Sequence, residues 1–327
     1  MKGLVTRGSR NIFTVRPEPP GGDLSPCFEC RIKGKVLKGA GSYQTPLAPG
    51  DRVFFEEDPG RPGAGFILAP DARRNVLTRL NPKGFTSKRA PSPQLIAANV
   101  DLVLCVAAAA SPPFRPRFID RLLLQADASG IPAAVICNKW DLFNGDPDIE
   151  ERLEDFRRIG VPVVRLSAKT GEGMDEFRAL IRNRFSVLAG QSGAGKSSII
   201  NALLPSAGIK VGGINEKYGR GNHTTALSSA VEIGGDSGLN AFLVDTPGIR
   251  LFVPHGISPE DLVFHMREFA PFAGKCTYGF SCSHRKEPGC RILEAVDAGV
   301  IHEDRYESFL RIRDELAGIP SGSGHDE

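Results

Sequence analysis

The sequence predicts three structural units: an all-β N-terminal barrel of the OB type, a central doubly wound α/β domain, and a small, mainly helical C-terminal unit built around a metal. Three observations lead there. Short strand-like runs broken by turn residues fill the first 80 positions, the texture of a small barrel. From Leu95 onward, continuous apolar runs alternate with amphipathic stretches, as in a mainly parallel sheet covered by helices on both faces. After Leu251 the apolar runs stop, and three of the seven cysteines fall within 15 residues.

The expected division is 1–80 for the barrel, 81–93 for a linker, 94–252 for the α/β domain and 253–327 for the C-terminal unit. Barrel strands are expected at 11–15, 28–37, 51–56 and 65–68, with turns rich in Gly and Pro between them. Residues 81–93 are polar, basic and proline-rich, which suits a linker. In the α/β domain, strands are expected at 100–107, 133–137, 161–166, 185–189 and 241–244. Helices are expected at 117–129, where Phe118, Leu122 and Leu123 share one side, and at 149–159, 173–181 and 196–204. A final helix is expected at 304–316.

Composition narrows the class. Apolar residues make up 41% and charged residues 24%, which excludes wholesale disorder. The longest apolar run, 100–110, contains Asp101 and is too short for a bilayer, and the first residues lack the apolar stretch of a secretion signal. An odd number of cysteines, several in apolar runs, suits a reduced cytoplasmic protein. Charge is uneven: residues 1–92 carry 16 Lys/Arg against 8 Asp/Glu, and the remainder 25 against 30. A basic module on a mildly acidic body suggests a polyanion, such as RNA, at the N-terminal end.

The chemistry lies in the central motifs. Gly190-Gln191-Ser192-Gly193-Ala194-Gly195-Lys196-Ser197, followed by Ser198, matches G-x-x-x-x-G-K-[ST] between a strand and a helix start. Its glycines let backbone N–H groups wrap a phosphate, Lys196 reaches the β- and γ-phosphates, and the Ser197 hydroxyl can ligate Mg²⁺. Asn138-Lys139-Trp140-Asp141 follows an apolar strand and so lies at a strand's C-terminal edge. A carboxylate at Asp141 can accept from both N1–H and the 2-amino group of guanine, a donor pair adenine lacks. Ser167-Ala168-Lys169 fits a second base-contacting loop, and Asp245-Thr246-Pro247-Gly248 places Asp245 near Mg²⁺ and the Gly248 N–H near the γ-phosphate. Between the phosphate loop and Asp245 lies a polar, glycine-rich run through His223, Thr224 and Thr225, suited to a switch; either threonine could complete the Mg²⁺ shell.

Motif order is unusual. Ordinary small GTPases run phosphate loop, switch threonine, D-x-x-G, N-K-x-D, S-A-K, whereas here N-K-x-D and S-A-K come first. A circular permutation builds the same sheet and makes D-x-x-G the end of the domain, so that switch motion could pass directly into the C-terminal unit. In that unit Cys276, Cys282, His284 and Cys290 suit a closed, structural tetrahedral Zn²⁺ site. Cys27 and Cys30 lack a second pair nearby, and Cys105 and Cys137 read as core residues.

Together these motifs resemble the small ribosomal subunit biogenesis GTPase family, RsgA (also called YjeQ or YloQ). The resemblance also includes Cys30-Arg-Ile-Lys-Gly-Lys, Gln94-Leu-Ile-Ala-Ala-Asn-Val-Asp101, His223-Thr224-Thr225 and Glu287-Pro-Gly-Cys290. It implies an oligonucleotide-binding barrel, a permuted GTPase domain and a zinc domain. It further implies late maturation of the small (30S) ribosomal subunit with its 16S-type rRNA, and GTP hydrolysis to GDP stimulated by that particle. Two departures stand out: five residues separate Cys276 from Cys282 where the family commonly has four, and Ala226 replaces a usual third threonine.

Ile249 follows Asp-Thr-Pro-Gly, near where Ras-like enzymes carry a water-orienting glutamine. An isoleucine cannot do that, which makes His223 the candidate catalytic base beside Lys196. Two other readings stay open on the residues alone. One is a zinc-stabilised RNA-binding adaptor that holds GTP without turning it over; the other is an ATP-dependent kinase, which has no use for a base-selective Asp141. Nothing in the sequence demands a dimer, and a monomer is expected.

Overall fold

In a computed structural model, residues 1–9, 11–18, 27–34, 37–41, 43–80, 93–204, 228–234, 238–246 and 252–318 are described. The first five strands are β1 (Lys2–Ser9), β2 (Ile12–Glu18), β3 (Phe28–Ile32), β4 (Arg52–Glu57) and β5 (Ala64–Pro70). They pair in the order β1-β2-β3-β5-β4, and β4 returns to β1, closing a five-stranded barrel. Alternate residues point inward, so Val5, Phe13, Val15, Val53, Phe55 and Ile67 fill one core. β3 is shorter than the expected 28–37 because the chain bends at Lys33–Gly34. β1 was not among the expected strands.

Two further strands, β6 (Val76–Arg79) and β7 (Gln94–Ala98), pair antiparallel on either side of residues 81–92. The α/β domain then runs β8 (Leu102–Ala108), α1 (Pro116–Ala128), β9 (Ala133–Asn138), α2 (Pro147–Arg158), β10 (Val163–Arg165), α3 (Met174–Ile181), β11 (Phe185–Gly190), α4 (Lys196–Leu203), β12 (Ser229–Ile233) and β13 (Ala241–Asp245). Its strand order is β10-β9-β8-β11-β13-β12, parallel except for β12. Side chains alternate between two cores. Val103, Cys105 and Val135 pack with Phe118, Ile119, Leu122 and Phe156 beneath α1 and α2. Leu104, Val106 and Ile136 pack with Phe177, Ile199 and Ile200 beneath α3 and α4. That is the doubly wound arrangement, with β11 central, in which ligands bind at the C-terminal strand edge.

The barrel and the α/β sheet are one hydrogen-bonded surface, because β1 pairs with β12 through Arg7 and Ser229. An Arg16–Glu232 ion pair spans the same seam. The C-terminal unit docks elsewhere. Its helices α5 (Arg291–Asp297) and α6 (Glu303–Leu316) share a core that includes Leu124 of α1. A buried ionic cluster locks the contact: Arg305 donates to Asp120 at 2.9 Å and to both Glu268 oxygens, and Arg152 donates to Asp120 and Asp155. No helix among the described residues is long and apolar enough to cross a membrane.

Candidate nucleotide site and metal centre

Three loops converge at the C-terminal ends of β9, β10 and β11. The β11–α4 connection carries Gly190 to Lys196, with Gly193 and Gly195 in the left-handed region at φ +81° and +92°. At Gly195 a side chain would also collide with the Asn138 amide, so no other residue fits. Lys196 is buried, and its Nζ donates to the Gly190 and Gln191 carbonyls, both at 2.9 Å. Burial lowers its pKa, with Asp245 opposing the shift. Ser192 is exposed on the loop, Ala194 is buried beneath it, and Ser198 follows Ser197 on the first turn of α4.

Asn138 ends β9 and ties the three loops together. Its Nδ2 donates to the Ala194 carbonyl at 2.9 Å, and its Oδ1 accepts from the Ala168 N–H at 3.1 Å. Lys139 takes a left-handed conformation at φ +60°, and its Nζ donates to the Ser111 carbonyl. The chain then turns through a short 3-10 segment that presents Asp141. Asp141 Oδ1 accepts from Ser167 Oγ at 2.6 Å, and the exposed Lys169 lies 3.8 Å from Oδ2. Beside them Trp140 stacks on Phe143 at 4.2 Å, and the Arg165 guanidinium lies over the Trp140 ring, 4.7 Å from its centroid.

On the opposite flank, β13 delivers Asp245. Ser197 Oγ donates to Asp245 Oδ2 at 3.0 Å, while Oδ1 is buried without a hydrogen-bond partner among the described residues. Burial raises the Asp245 pKa, against the Ser197 hydrogen bond and the Lys196 charge. A buried, half-satisfied carboxylate beside a hydroxyl is a donor set that fits a hard cation. The next residue, Thr246, anchors this strand end by donating to the Leu188 carbonyl at 2.6 Å. His223, Thr224, Thr225, Gly248 and Ile249 lie outside the described residues.

In the C-terminal unit the four expected ligands meet. Their ligand atoms lie within 4.8 Å of one another, and all four residues are buried. Cys276 Sγ is 3.6 Å from His284 Nδ1 and 3.8 Å from Cys290 Sγ, which is 3.4 Å from the same nitrogen. Zn–S bonds of about 2.3 Å and Zn–N bonds of about 2.0–2.1 Å in a tetrahedron need edges of roughly 3.5–3.8 Å, so the set fits zinc. A 3-10 turn at Gly279–Ser281 lies between the first two cysteines.

Sequence reasoning missed the groups that hold this loop. Glu287 accepts from the Ser283, Arg285 and Lys286 N–H groups, and these bonds, Ser283's foremost, keep its carboxyl well below the usual carboxylate range. Tyr306 donates to the His284 carbonyl at 2.6 Å, and Arg313 to that of Ser283. Glu287 stands in the Glu287-Pro-Gly-Cys290 run already singled out, but its spacing alone does not give it this role. Tyr306 and Arg313 come from α6 and carry no local signal.

Residues 71–253 match the family described as RsgA GTPase. The small ribosomal subunit biogenesis GTPase RsgA of Chlorobaculum parvum is 35% identical over 319 residues, covering 97% of this chain and 98% of the relative. Its namesake from Chlorobaculum tepidum is 36% identical over 320 residues, covering 97% and 98%. Among solved structures, YjeQ from Thermotoga maritima superposes with a TM-score of 0.70 at 29% identity, covering 97% of this chain and 98% of that one. YloQ, a circularly permuted GTPase, gives 0.67 at 25%, covering 97% and 95%.

Proposed function

The chain belongs to the RsgA GTPase family and is a GTP hydrolase, and from that premise we propose that it binds the small ribosomal subunit, assists its late maturation and hydrolyses GTP under stimulation by that particle. One observation carries the nucleotide half of this reading: Asn138 bonds at once to the phosphate loop and to the Ser167–Lys169 loop, so base selection and phosphate binding form one rigid surface. The ribosomal half is supported by relatives of that name along 97% of the chain.

In this reading Asp141 selects guanine, with Asn138, Lys139, Ser167, Ala168 and Lys169 shaping the base pocket. The backbone from Gly190 to Gly195 wraps the phosphates, and on nucleotide binding Lys196 leaves the carbonyls it now caps and turns to the β- and γ-phosphates. Ser197 and Asp245 would hold Mg²⁺, with Thr224 or Thr225, and the bound ion neutralises phosphate charge. The Gly248 N–H meets the γ-phosphate, and His223 acts as the base for the attacking water. Cys276, Cys282, His284 and Cys290 hold one structural Zn²⁺. The unit boundaries at 80, 93 and 252 belong to the same proposal, as do the barrel's contact with 16S-type rRNA and a monomeric, cytoplasmic protein.

The test is GTP turnover with and without purified small ribosomal subunits at fixed low salt. A large rise is expected, and His223→Ala should keep GTP binding while losing it. No rise in the wild type, with tight GTP binding intact, sinks the assembly reading in favour of a GTP-holding adaptor.

A further inference from the structure

We propose that Phe280, flanked by Phe264 and Tyr278, is a stacking platform for unpaired RNA bases on the C-terminal unit; the proposal rests on the reading of this chain as a ribosomal-subunit factor. The unit's own core is closed without these rings, since Phe269 and Phe309 stack at 4.8 Å and are almost fully buried. Phe280 is instead 76% exposed, Tyr278 55% and Phe264 49%, so three aromatic side chains of one small unit stand open to solvent. They are neighbours. The Phe264 and Phe280 rings lie 6.1 Å apart at 41°, and Tyr278 precedes Phe280 by two residues on the same turn.

Phe280 is fixed as well as exposed. Its ring rests on the backbone at Gly274, where a Cβ would come within 2.7 Å of it. The turn that carries Tyr278 and Phe280 is pinned between Cys276 and Cys282, two members of the metal cluster. A ring held open in this way loses little conformational freedom when something stacks on it.

Charge decides the kind of partner. Residues 253–318 carry eight Lys/Arg against eleven Asp/Glu, yet residues 272–286 hold Lys275, Arg285 and Lys286 with no acid. Arg285 is paired with Asp314, while Lys275 and Lys286 have no ion pair among the described residues. Two cations, Lys275 and Lys286, thus flank the Tyr278–Phe280 turn along the chain, on an otherwise acidic unit. Protein-binding patches are depleted in lysine at their cores, whereas open rings beside free lysines are the make-up of a single-strand surface.

The test uses the full chain with Phe280→Trp, the wild type with its single Trp140 serving as blank. The added emission should be quenched saturably by oligouridylate and left unchanged by an RNA duplex of equal length. Phe280→Ala should bind small ribosomal subunits roughly tenfold more weakly, as expected for one lost base stack, and Phe280→Trp should restore the affinity. All variants should retain zinc, since the ring lies outside the core. Absence of quenching, equal quenching by duplex, or wild-type affinity in Phe280→Ala overturns the proposal. Quenching by ribosomal proteins but not by oligouridylate overturns it in favour of a protein partner. If particles fail to stimulate the wild type, the small-subunit reading falls separately, and the oligouridylate experiment still decides stacking.

Discussion

The Asp141 carboxylate is held in place, because the fully buried Ser167 donates to it at 2.6 Å and accepts from the Thr170 N–H at 3.1 Å. Removing that hydroxyl costs pre-organisation equally before and during the reaction. Ser167→Ala should therefore raise KM for GTP about fivefold, the value of one ordinary hydrogen bond of about 1 kcal/mol, with kcat unchanged in steady-state turnover. A second residue effect concerns pH. Burial lowers the His255 pKa, and the ring sits 3.3 Å from Thr78 Oγ1. The unfolded chain then takes up its proton first as pH falls. Stability from the neutral ring is complete above the unfolded value of about 6.5 and drains away below it. The loss of thermal midpoint between about pH 7.5 and about pH 5.5 should be smaller in His255→Gln than in the wild type. The motif residues were legible one by one, because each chemistry admits few residue types. Their supports were not: Tyr306 holds His284 from 22 positions away, and no spacing rule connects the two.

At the scale of elements, one side chain joins three loops. Asn138 is 1% exposed, so Asn138→Ala strands the Ala194 carbonyl and the Ala168 N–H without partners. Each such group costs about 1–3 kcal/mol, and the change should lower both the unfolding midpoint in urea and the affinity for GTP and GDP alike, read by calorimetry. The alternation of strands and helices from β8 to β11 was plain in the sequence, since buried parallel strands are unbroken apolar runs. Strand β1 was not. Its Gly3 argues against a strand locally, yet a Cβ there would come within 2.5 Å of Val15 and 2.8 Å of Phe55, so the crowded barrel interior demands it. The β6–β7 pairing was hidden too, because its two strands stand on either side of the polar run at 81–92 and only long-range pairing joins them.

For the whole molecule, the outer units grip different halves of the GTPase domain. The barrel joins at β12, on the Asp245 side, and the C-terminal unit at α1 and α2, on the Asp141 side. Permutation was readable from motif order, but the side on which the last unit docks was not, because it is fixed by Asp120, Arg152, Arg305 and Glu268 meeting across the fold. A buried pair broken on one side leaves an uncompensated charge. Arg305→Ala should cost about 3–5 kcal/mol, seen as a lower thermal midpoint and as earlier proteolysis of the C-terminal unit. That cluster also has a history within each molecule. Asp120 is made 185 residues before Arg305. At roughly 5–20 residues per second, about 10–40 seconds of synthesis separate the two. Until Arg305 is made, Asp120 has only Arg152, itself 32 residues later in the chain, of its two arginine partners, and the core around Leu124 lacks Phe309 and Ile312 of α6. The domain made first is thus finished by residues made well after it, so a nascent chain interrupted before Arg305 offers chaperones and proteases an incompletely covered, acid-bearing helix rather than a smaller intact enzyme.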